Sequence, residues 1–474
     1  MKAVILESLG SAGTVTGAKH LLKTPELNIL IDCGLFQGIK SLRQQNWEPL
    51  HIDAARIDVV LLTHAHLDHC GYLPLLVKNG FKGKIYMSEP TMALTRLILL
   101  DSAKLQEEEA EHANKHNYSK HHPAKPLYTI DEAKASFRYF VAVPENVAIQ
   151  LNQKCTAIFK LVGHILGACS ILVNCYGKNI LFSGDIGRVY SNTLPAPDFF
   201  EQAEYVVMES TYGDRLHGQV DIYTEIADCI NETIRNSGNL IIPSFAVGRA
   251  QELLYIIHIL KLQGRIPAHV QVVLDSPMGA SATEIYSRFA DRYLRVAKEE
   301  WLEVIKHINI NKEYSGTIHI VNDHRSKIIV APSGMLSGGR VLEYLKHDLG
   351  RKENTIMIIG FQAEGTRGRA LLNHAHELKI HGRYYPVQAK IAAVLGLSAH
   401  ADQTELINWL RQLKQVPKLV MLVHGEYCAL EALRVKVKDE LHTDVKVMVQ
   451  HQQVILFTCD QDDISDSAKP LAHM

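Results

Sequence analysis

Six residues, His64-Ala65-His66-Leu67-Asp68-His69, hold three imidazoles and a carboxylate. Imidazole with carboxylate is a ligand set that suits zinc and other first-row divalent metals. The apolar run Ile57-Asp58-Val59-Val60-Leu61-Leu62-Thr63 before them reads as a buried strand. The stretch after them, Cys70 to Gly80, reads as a helix predicted over 69–79 and closed by Gly80. The cluster therefore lies on a strand-to-helix turn, where several side chains can converge on one point. Asp32 ends the apolar run Leu27–Ile31, His164 ends Ala157–Gly163, and Asp185 follows Ile180–Gly184. Each would present its side chain at the edge of a sheet. One Asp or His after a strand is more often a turn or cap residue; together with the cluster they point to a site.

The elements that must position these residues are short strands up to about Glu204, predicted at 2–8, 27–32, 57–63, 156–162, 169–176 and 179–183, with helices near 69–79 and 90–117. Tyr176-Gly177-Lys178 reads as a hairpin turn. His112, His116, His121 and His122 lie in a Glu/Lys/His-rich stretch reaching Lys125, whose charge pattern is that of a solvated face rather than a second metal site. From about residue 205 a strand–loop–helix plan repeats three times. The units are Asn239–Ala250 leading into Gln251–Leu260, Lys327–Val330 through Ser333–Arg340 into Val341–Lys346, and Thr355–Ile359 through Phe361–Arg369 into Ala370–Asn373. Alternating strands and helices imply a helix-covered parallel sheet whose strand-end loops bind ligands. Arg249, Arg340, Arg367 and Arg369, with Ser244 and Ser333, stand in those loops near helix N-termini, which favour phosphate. After about residue 386 the first pattern returns: Ala389–Leu397 is an apolar strand ending near His400, and Lys418–Val423 another ending in His424.

Composition sets the bounds. The chain has 474 residues, 47% hydrophobic and 21% charged, which suits two or three globular domains with ample core. No run approaches the roughly 18 apolar residues of a membrane span, and Met1–Glu7 reads as a strand rather than a signal peptide. A formal charge of -1 gives no global attraction to nucleic acid, so polyanion binding must be local. Eight cysteines without a C-x-x-C pair, among them Cys33, Cys70, Cys155, Cys169 and Cys175 in or beside apolar runs, favour buried thiols in a reducing, cytoplasmic setting.

H-x-H-x-D-H after a hydrophobic strand resembles the second motif of the metallo-β-lactamase superfamily, with Asp32, His164 and Asp185 matching the first, third and fourth. The departure near 205 and return near 395 resemble its β-CASP branch, which processes nucleic acids. Glu209 in Met208-Glu209-Ser210-Thr211 matches motif A, His400 in Ser398-Ala399-His400-Ala401-Asp402 motif B, and His424 in Val423-His424-Gly425-Glu426 motif C. A His in motif C looks like the RNA-processing members. The loops Ser333–Arg340 and Gln362–Arg369 resemble the cleavage-and-polyadenylation endonuclease subunit and its prokaryotic relatives more than RNase J. From the chain as given, the KH domains of many archaeal relatives and a long C-terminal domain are not expected.

The resemblance implies an α/β fold: a metallo-β-lactamase αββα sandwich with an inserted β-CASP domain, a parallel sheet covered by helices. The expected domains are 1–207, 208–394 and 395–474. It implies two zinc ions per chain, one on His64, His66 and His164, the other on Asp68, His69 and His424, bridged by Asp185. His400 is the expected general acid, oriented by Glu209, and Asp32 fixes the metal loop. Asp68 serves the catalytic centre as a ligand. The expected function is hydrolysis of RNA phosphodiester bonds by a two-metal activated hydroxide, endonucleolytic or 5′-to-3′ exonucleolytic. The expected partner is RNA, single-stranded, with no membrane; a homodimer is left open. A small-molecule metallohydrolase of thioesterase or lactonase type and a catalytically weak RNA-binding paralogue are the alternatives.

Overall fold

The computed structural model describes residues 2–116, 121–218 and 221–459. The segment 117–120 of the Lys/His-rich stretch and residues 460–474 of the expected last domain lie outside the described residues. The chain divides into two compact units. The first comprises Met1–Val189, Ala196–Leu216 and His400–Met474; the second comprises Tyr190–Pro195 and His217–Ala399.

Among the described residues, the first unit holds two seven-stranded sheets. In spatial order the first runs Gln453–Cys459, Lys2–Gly10, Lys19–Lys23, Asn28–Ile31, Val59–Leu61, Lys84–Ser88 and Phe140–Val143. The first four pair antiparallel and the last four parallel, Asn28–Ile31 sharing both modes. The second sheet runs Asp444–Val447, Leu419–Leu422, Tyr205–Met208, Lys178–Phe182, Cys169–Cys175, Cys155–Leu161 and Ile149–Gln150. It is parallel as far as Lys178–Phe182 and antiparallel beyond. One core lies between the sheets, with Leu6, Ile31, Leu61, Phe159, Ile171, Phe182, Val207 and Met421 all buried in it. Helices Gln403–Leu410 and Tyr427–Leu441 cover the outer face of the second sheet through Leu406, Trp409, Leu430 and Leu433. Strand pattern follows position. Central parallel strands such as Tyr205–Met208 are buried throughout, whereas Cys155–Leu161 alternates.

Local departures from the sequence reading have local causes. The helix expected over 69–79 is two helices, Leu67–Cys70 and Leu73–Lys78. Pro74 sits in the first turn of the second, where its missing N–H costs nothing, and cannot continue the first. The hairpin turn is Tyr176-Gly177 alone, both with positive φ, and Lys178 already pairs with Cys175. The helix expected at 90–117 spans Glu89–His116. None of the eight cysteines is in a disulfide, and only Cys428 is exposed. No helix among the described residues is long and apolar enough to cross a membrane.

The inserted unit carries a six-stranded, wholly parallel sheet in the order Asn309–Asn311, Gln271–Asp275, Lys327–Ala331, Leu240–Pro243, Thr355–Ile359 and Lys390–Val394. Its central strands are buried on both faces, as a helix-covered parallel sheet requires. The repeating helices span Arg249–Leu262, Val341–Asp348 and Arg367–Leu372. The apolar run Ala389–Leu397, read from sequence as the start of the returning fold, supplies the strand Lys390–Val394 that pairs with Thr355–Ile359. The first unit resumes at His400.

Candidate metal centre and active site

In both sheets of the first unit, the parallel strands place their C-terminal ends along one edge. Asp32 follows Asn28–Ile31, the His64–His69 loop follows Val59–Leu61, Asp185 follows Lys178–Phe182, Glu209 follows Tyr205–Met208, and His424 follows Leu419–Leu422. His164 follows the antiparallel strand Cys155–Leu161. The turns leaving these strands are sharp. Asp32 and His424 have φ of 60° and 49°, and Gly163 and Gly184 turn the chain just before His164 and Asp185. At Gly184 a Cβ would lie 2.8 Å from Thr63 Cβ, so any side chain would push apart the loops bearing His64 and Asp185.

Two sets of ligand-type atoms converge: His64, His66, His164 and Asp185 in one, Asp68, His69 and His424 in the other. His66 Nδ1 lies 3.1 Å from His64 Nε2 and 3.2 Å from His164 Nε2. His69 Nε2 lies 3.2 Å from His424 Nε2, which is 3.4 Å from Asp68 Oδ2. Asp185 spans the two: Oδ2 is 3.5 Å from His64 Nε2 and 3.6 Å from His164 Nε2, while Oδ1 is 3.3 Å from His69 Nε2. That Oδ1 is buried and accepts no hydrogen bond. A buried carboxylate oxygen facing imidazole nitrogens without a hydrogen bond is costly unless a cation completes the site. Ring nitrogens about 3 Å apart also suit a shared ion, since Zn–N bonds are about 2.0–2.1 Å. The donor set fits the metal.

Charge at His64, His66 and Asp185 supports the same fit, whereas at His69 burial is outweighed by Asp185 and Asp32, which hold the ring well above its usual range. Burial pushes His64 well below its usual range and His66 down to about 4, keeping both in the neutral form that ligates. Burial alone would raise Asp185, but His424, His69 and His64 facing it hold its carboxyl well below the usual carboxylate range. The rings are aimed from behind. His69 Nδ1 is 2.8 Å from Asp32 Oδ2, His64 Nδ1 is 3.0 Å from Thr63 Oγ1, and His424 Nδ1 is 3.1 Å from Thr211 Oγ1. Asp32 also accepts from the Thr63 N–H at 2.7 Å and its hydroxyl at 2.8 Å. Its place is behind the ligands, tying two loops together. Sequence reasoning does not single out Thr63 or Thr211; their one signal is that Thr63 precedes His64 and Thr211 lies two residues after Glu209.

His400 and Glu209 meet beside these sets. His400 Nδ1 is 3.2 and 3.1 Å from the two Glu209 oxygens and 4.0 Å from Asp185 Oδ2. Glu209 is held by the Ile186 N–H at 2.6 Å and the Thr211 N–H at 3.3 Å. Burial opposes charge on His400, but Glu209 outweighs it and the imidazole is raised above its usual pKa.

The residues expected to hold phosphate all lie in the inserted unit and bond within it. Arg249 Nη1 donates to Glu252 Oε2 at 2.6 Å, and Arg340 donates to Asp275 Oδ1 at 2.5 Å and to the Lys312 carbonyl at 2.6 Å. Arg367 donates to the Lys379 and Leu336 carbonyls at 2.8 and 2.9 Å. Ser244 Oγ bonds the Phe245 carbonyl, and Ser333 Oγ accepts from the Ser337 and Gly338 N–H groups. Arg369 lies half-buried in the helix Arg367–Leu372, and its N–H bonds Thr366 Oγ1.

Comparison with known proteins agrees with this geometry. Residues 20–237 match the metallo-beta-lactamase superfamily, 250–371 the Beta-Casp domain, and 384–448 the Zn-dependent metallo-hydrolase RNA specificity domain. The chain is 31% identical to ribonuclease TTHA0252 of Thermus thermophilus, over 90% of this chain and 94% of that protein. It is 31% identical to an RNase J-like protein of Methanocaldococcus jannaschii, over 85% and 88% of the two. Against transcription termination factor FttA of the same archaeon it is 29% identical, over 88% of this chain and 66% of that factor. A crystal structure of a protein of unknown function from Enterococcus faecalis V583 shares the fold, with a TM-score of 0.54, 13% identity, and 96% and 100% of the chains covered. The chain belongs to the β-CASP branch of the metallo-β-lactamase superfamily, among its metal-dependent RNA nucleases.

Proposed function

We propose that this chain hydrolyses single-stranded RNA in the cytoplasm as a two-zinc ribonuclease. His64, His66 and His164 would hold one ion and Asp68, His69 and His424 the other, with Asp185 serving between the two sets. The observation that carries this is Asp185: its two oxygens face the two ligand sets separately, and Oδ1 is buried without a hydrogen bond. When bound, such an ion pair supplies Lewis acidity at the phosphoryl oxygens and a water acidic enough to attack near neutral pH. The chain's own residues supply the proton. Glu209 engages His400 Nδ1, which fixes the ring and leaves Nε2 to donate to the departing ribose 3′ oxygen. Asp32, Thr63 and Thr211 hold the ligating rings in orientation. Contact with phosphate is not assigned to Arg249, Arg340 or Arg367, because each already bonds its own unit.

The test pairs a circular with an end-labelled linear RNA of the same sequence, with the zinc-loaded protein and after chelation. Metal-dependent opening of the circle is expected, since internal scission needs no free end. Cleavage that survives chelation would sink the metal reading; an intact circle beside a degraded linear RNA would make the enzyme an exonuclease.

A further inference from the structure

A third group of ligand-type side chains lies on the first unit, sharing no residue with the two sets above. Glu7 on the strand Lys2–Gly10, His51 in the segment after Trp47, and His451 in the turn before Gln453–Cys459 place one such atom each within 4.8 Å of one another. Glu7 is buried and its carboxylate is fixed, with Oε2 accepting from Lys23 Nζ at 2.6 Å and Gln453 Nε2 at 2.9 Å. The His451 backbone is fixed too: its N–H donates to the Ser8 carbonyl at 2.7 Å and its φ is 64°. Its Nδ1 is buried and has no hydrogen-bond partner. The His51 and His451 rings stack with centroids 3.3 Å apart and planes within 4°. A face-to-face sandwich opposes like quadrupoles and is the least favoured aromatic arrangement. If both rings were protonated they would repel as well. Two imidazoles beside a fixed carboxylate, with one buried nitrogen unpartnered, make a ligand-type set once the exposed His51 ring turns out of the stack.

We propose that Glu7, His51 and His451 form a separate, peripheral site for a borderline divalent transition metal, with Zn2+ the reference ion. Two His and one carboxylate are a sufficient zinc set, with water completing the tetrahedron. His51 is exposed, so its ring can tilt out of the stack to direct a nitrogen at the ion. Glu48, whose charge acts on His451, adds negative field, while Lys23 on Glu7 opposes it. The ion would join three segments: the first strand, the 48–53 loop and the turn entering the last described strand. Ser8 and Ser11 at the end of that first strand accept from the His451 and His424 N–H groups, at 2.7 Å each. The site therefore steadies the segment beneath a catalytic ligand without itself touching substrate.

The test uses the zinc-loaded protein, equilibrated with Zn2+ and analysed for metal, as wild type, His51→Ala and His451→Ala. Each variant is expected to bind about one equivalent less than wild type and to show a smaller Zn2+-dependent rise in Tm. His51→Ala, at an exposed side chain, should fold and cleave RNA normally. Asp185→Ala separates the two centres: it should lower metal content yet keep the Zn2+-dependent rise in Tm. Equal metal content in wild type and both variants overturns the site, and so does a deficit in only one variant.

Discussion

Asp185 and Asp275 are both buried aspartates at strand ends, one in each unit, and their surroundings differ in kind. Asp275 closes the strand Gln271–Asp275, and its oxygens are met by fixed donors: Arg340 Nη1 at 2.5 Å, Asn311 Nδ2 at 2.7 Å and Tyr344 Oη at 2.5 Å. Asp185 is met by imidazole nitrogens at 3.3 to 3.6 Å, and Oδ1 accepts no hydrogen bond. Parallel sheets place polar loops at strand C-termini in both units, so topology alone does not separate a site from a brace. What separates them is whether the buried polar atoms already have partners inside the protein.

The largest expected effect breaks that comparison at its first member. Asp185→Asn keeps the size of the side chain but removes the charge between the two ligand sets. Metal content should fall and RNA cleavage should drop to background while the fold persists. Full metal occupancy with full activity would return Asp185 to the same class as Asp275. Next comes His400→Ala. It should retain metal and lose RNA cleavage by roughly 10²–10⁴-fold, the usual range for general acid catalysis. Hydrolysis of bis-p-nitrophenyl phosphate should fall far less, because its leaving group departs without a proton. Equal losses on the two substrates would make His400 a ligand or a structural residue.

Arg340→Ala tests the second member. It takes the guanidinium from the buried Asp275 carboxylate and leaves only the neutral Asn311 and Tyr344 donors named above, so the inserted unit should lose up to about 3–5 kcal/mol, the cost of breaking a buried pair by removing one partner. Arg249→Ala should cost less, since its partner Glu252 keeps some solvent contact. Denaturant melts followed with a probe in the insert, beside a metal assay, would show it. Metal loss without destabilisation would contradict the assignment of Arg340 as a brace.

The difference between these aspartates also explains what could be read in the sequence. Metal ligands fall at fixed places relative to apolar runs, as the His64–His69 loop and Asp185 do, because a sheet edge needs a strand before it. Partners across the fold leave no such trace. Arg340 has Glu343 three residues away, yet it bonds Asp275, 65 positions back. Asp32 reaches His69, and Thr211 reaches His424 from 213 positions away. Gly, Ser and Arg at helix starts are what phosphate cradles use, but the same residues also tie loops to carbonyls, as Arg367 does, and sequence spacing alone does not separate the two uses. The strand Lys390–Val394 was hard to place because an apolar run ending near a histidine looks alike in either sheet.

Asp32→Asn asks how much the layer behind the ligands matters. It weakens the acceptor at His69 Nδ1 while leaving all seven ligand positions in place. Metal affinity should fall about 10–100-fold, the usual cost of a lost ligand-orienting partner. Competition with a chelator of graded strength would measure it, and unchanged affinity would make Asp32 a loop tie alone.

The smallest expected effect is a shift in a pH profile, and it isolates Glu209. His400 can donate only while protonated, so cleavage should fall as pH rises through its pKa. Burial works against the charge on His400, but Glu209, then Asp185 and Asp68, outweigh it and hold the pKa above 6.5. Glu209→Gln removes the strongest of these raising influences. The amide oxygen can still accept from the Ile186 N–H, while the weaker bond from the Thr211 N–H to the second oxygen is lost. The pKa of His400 should therefore fall, and the alkaline limb of the profile should move to lower pH with metal content unchanged. Bound cations depress the value in both proteins, so the comparison is between the two limbs rather than with a free imidazole. A limb that stays in place in Glu209→Gln means the titrating proton donor is a group other than His400.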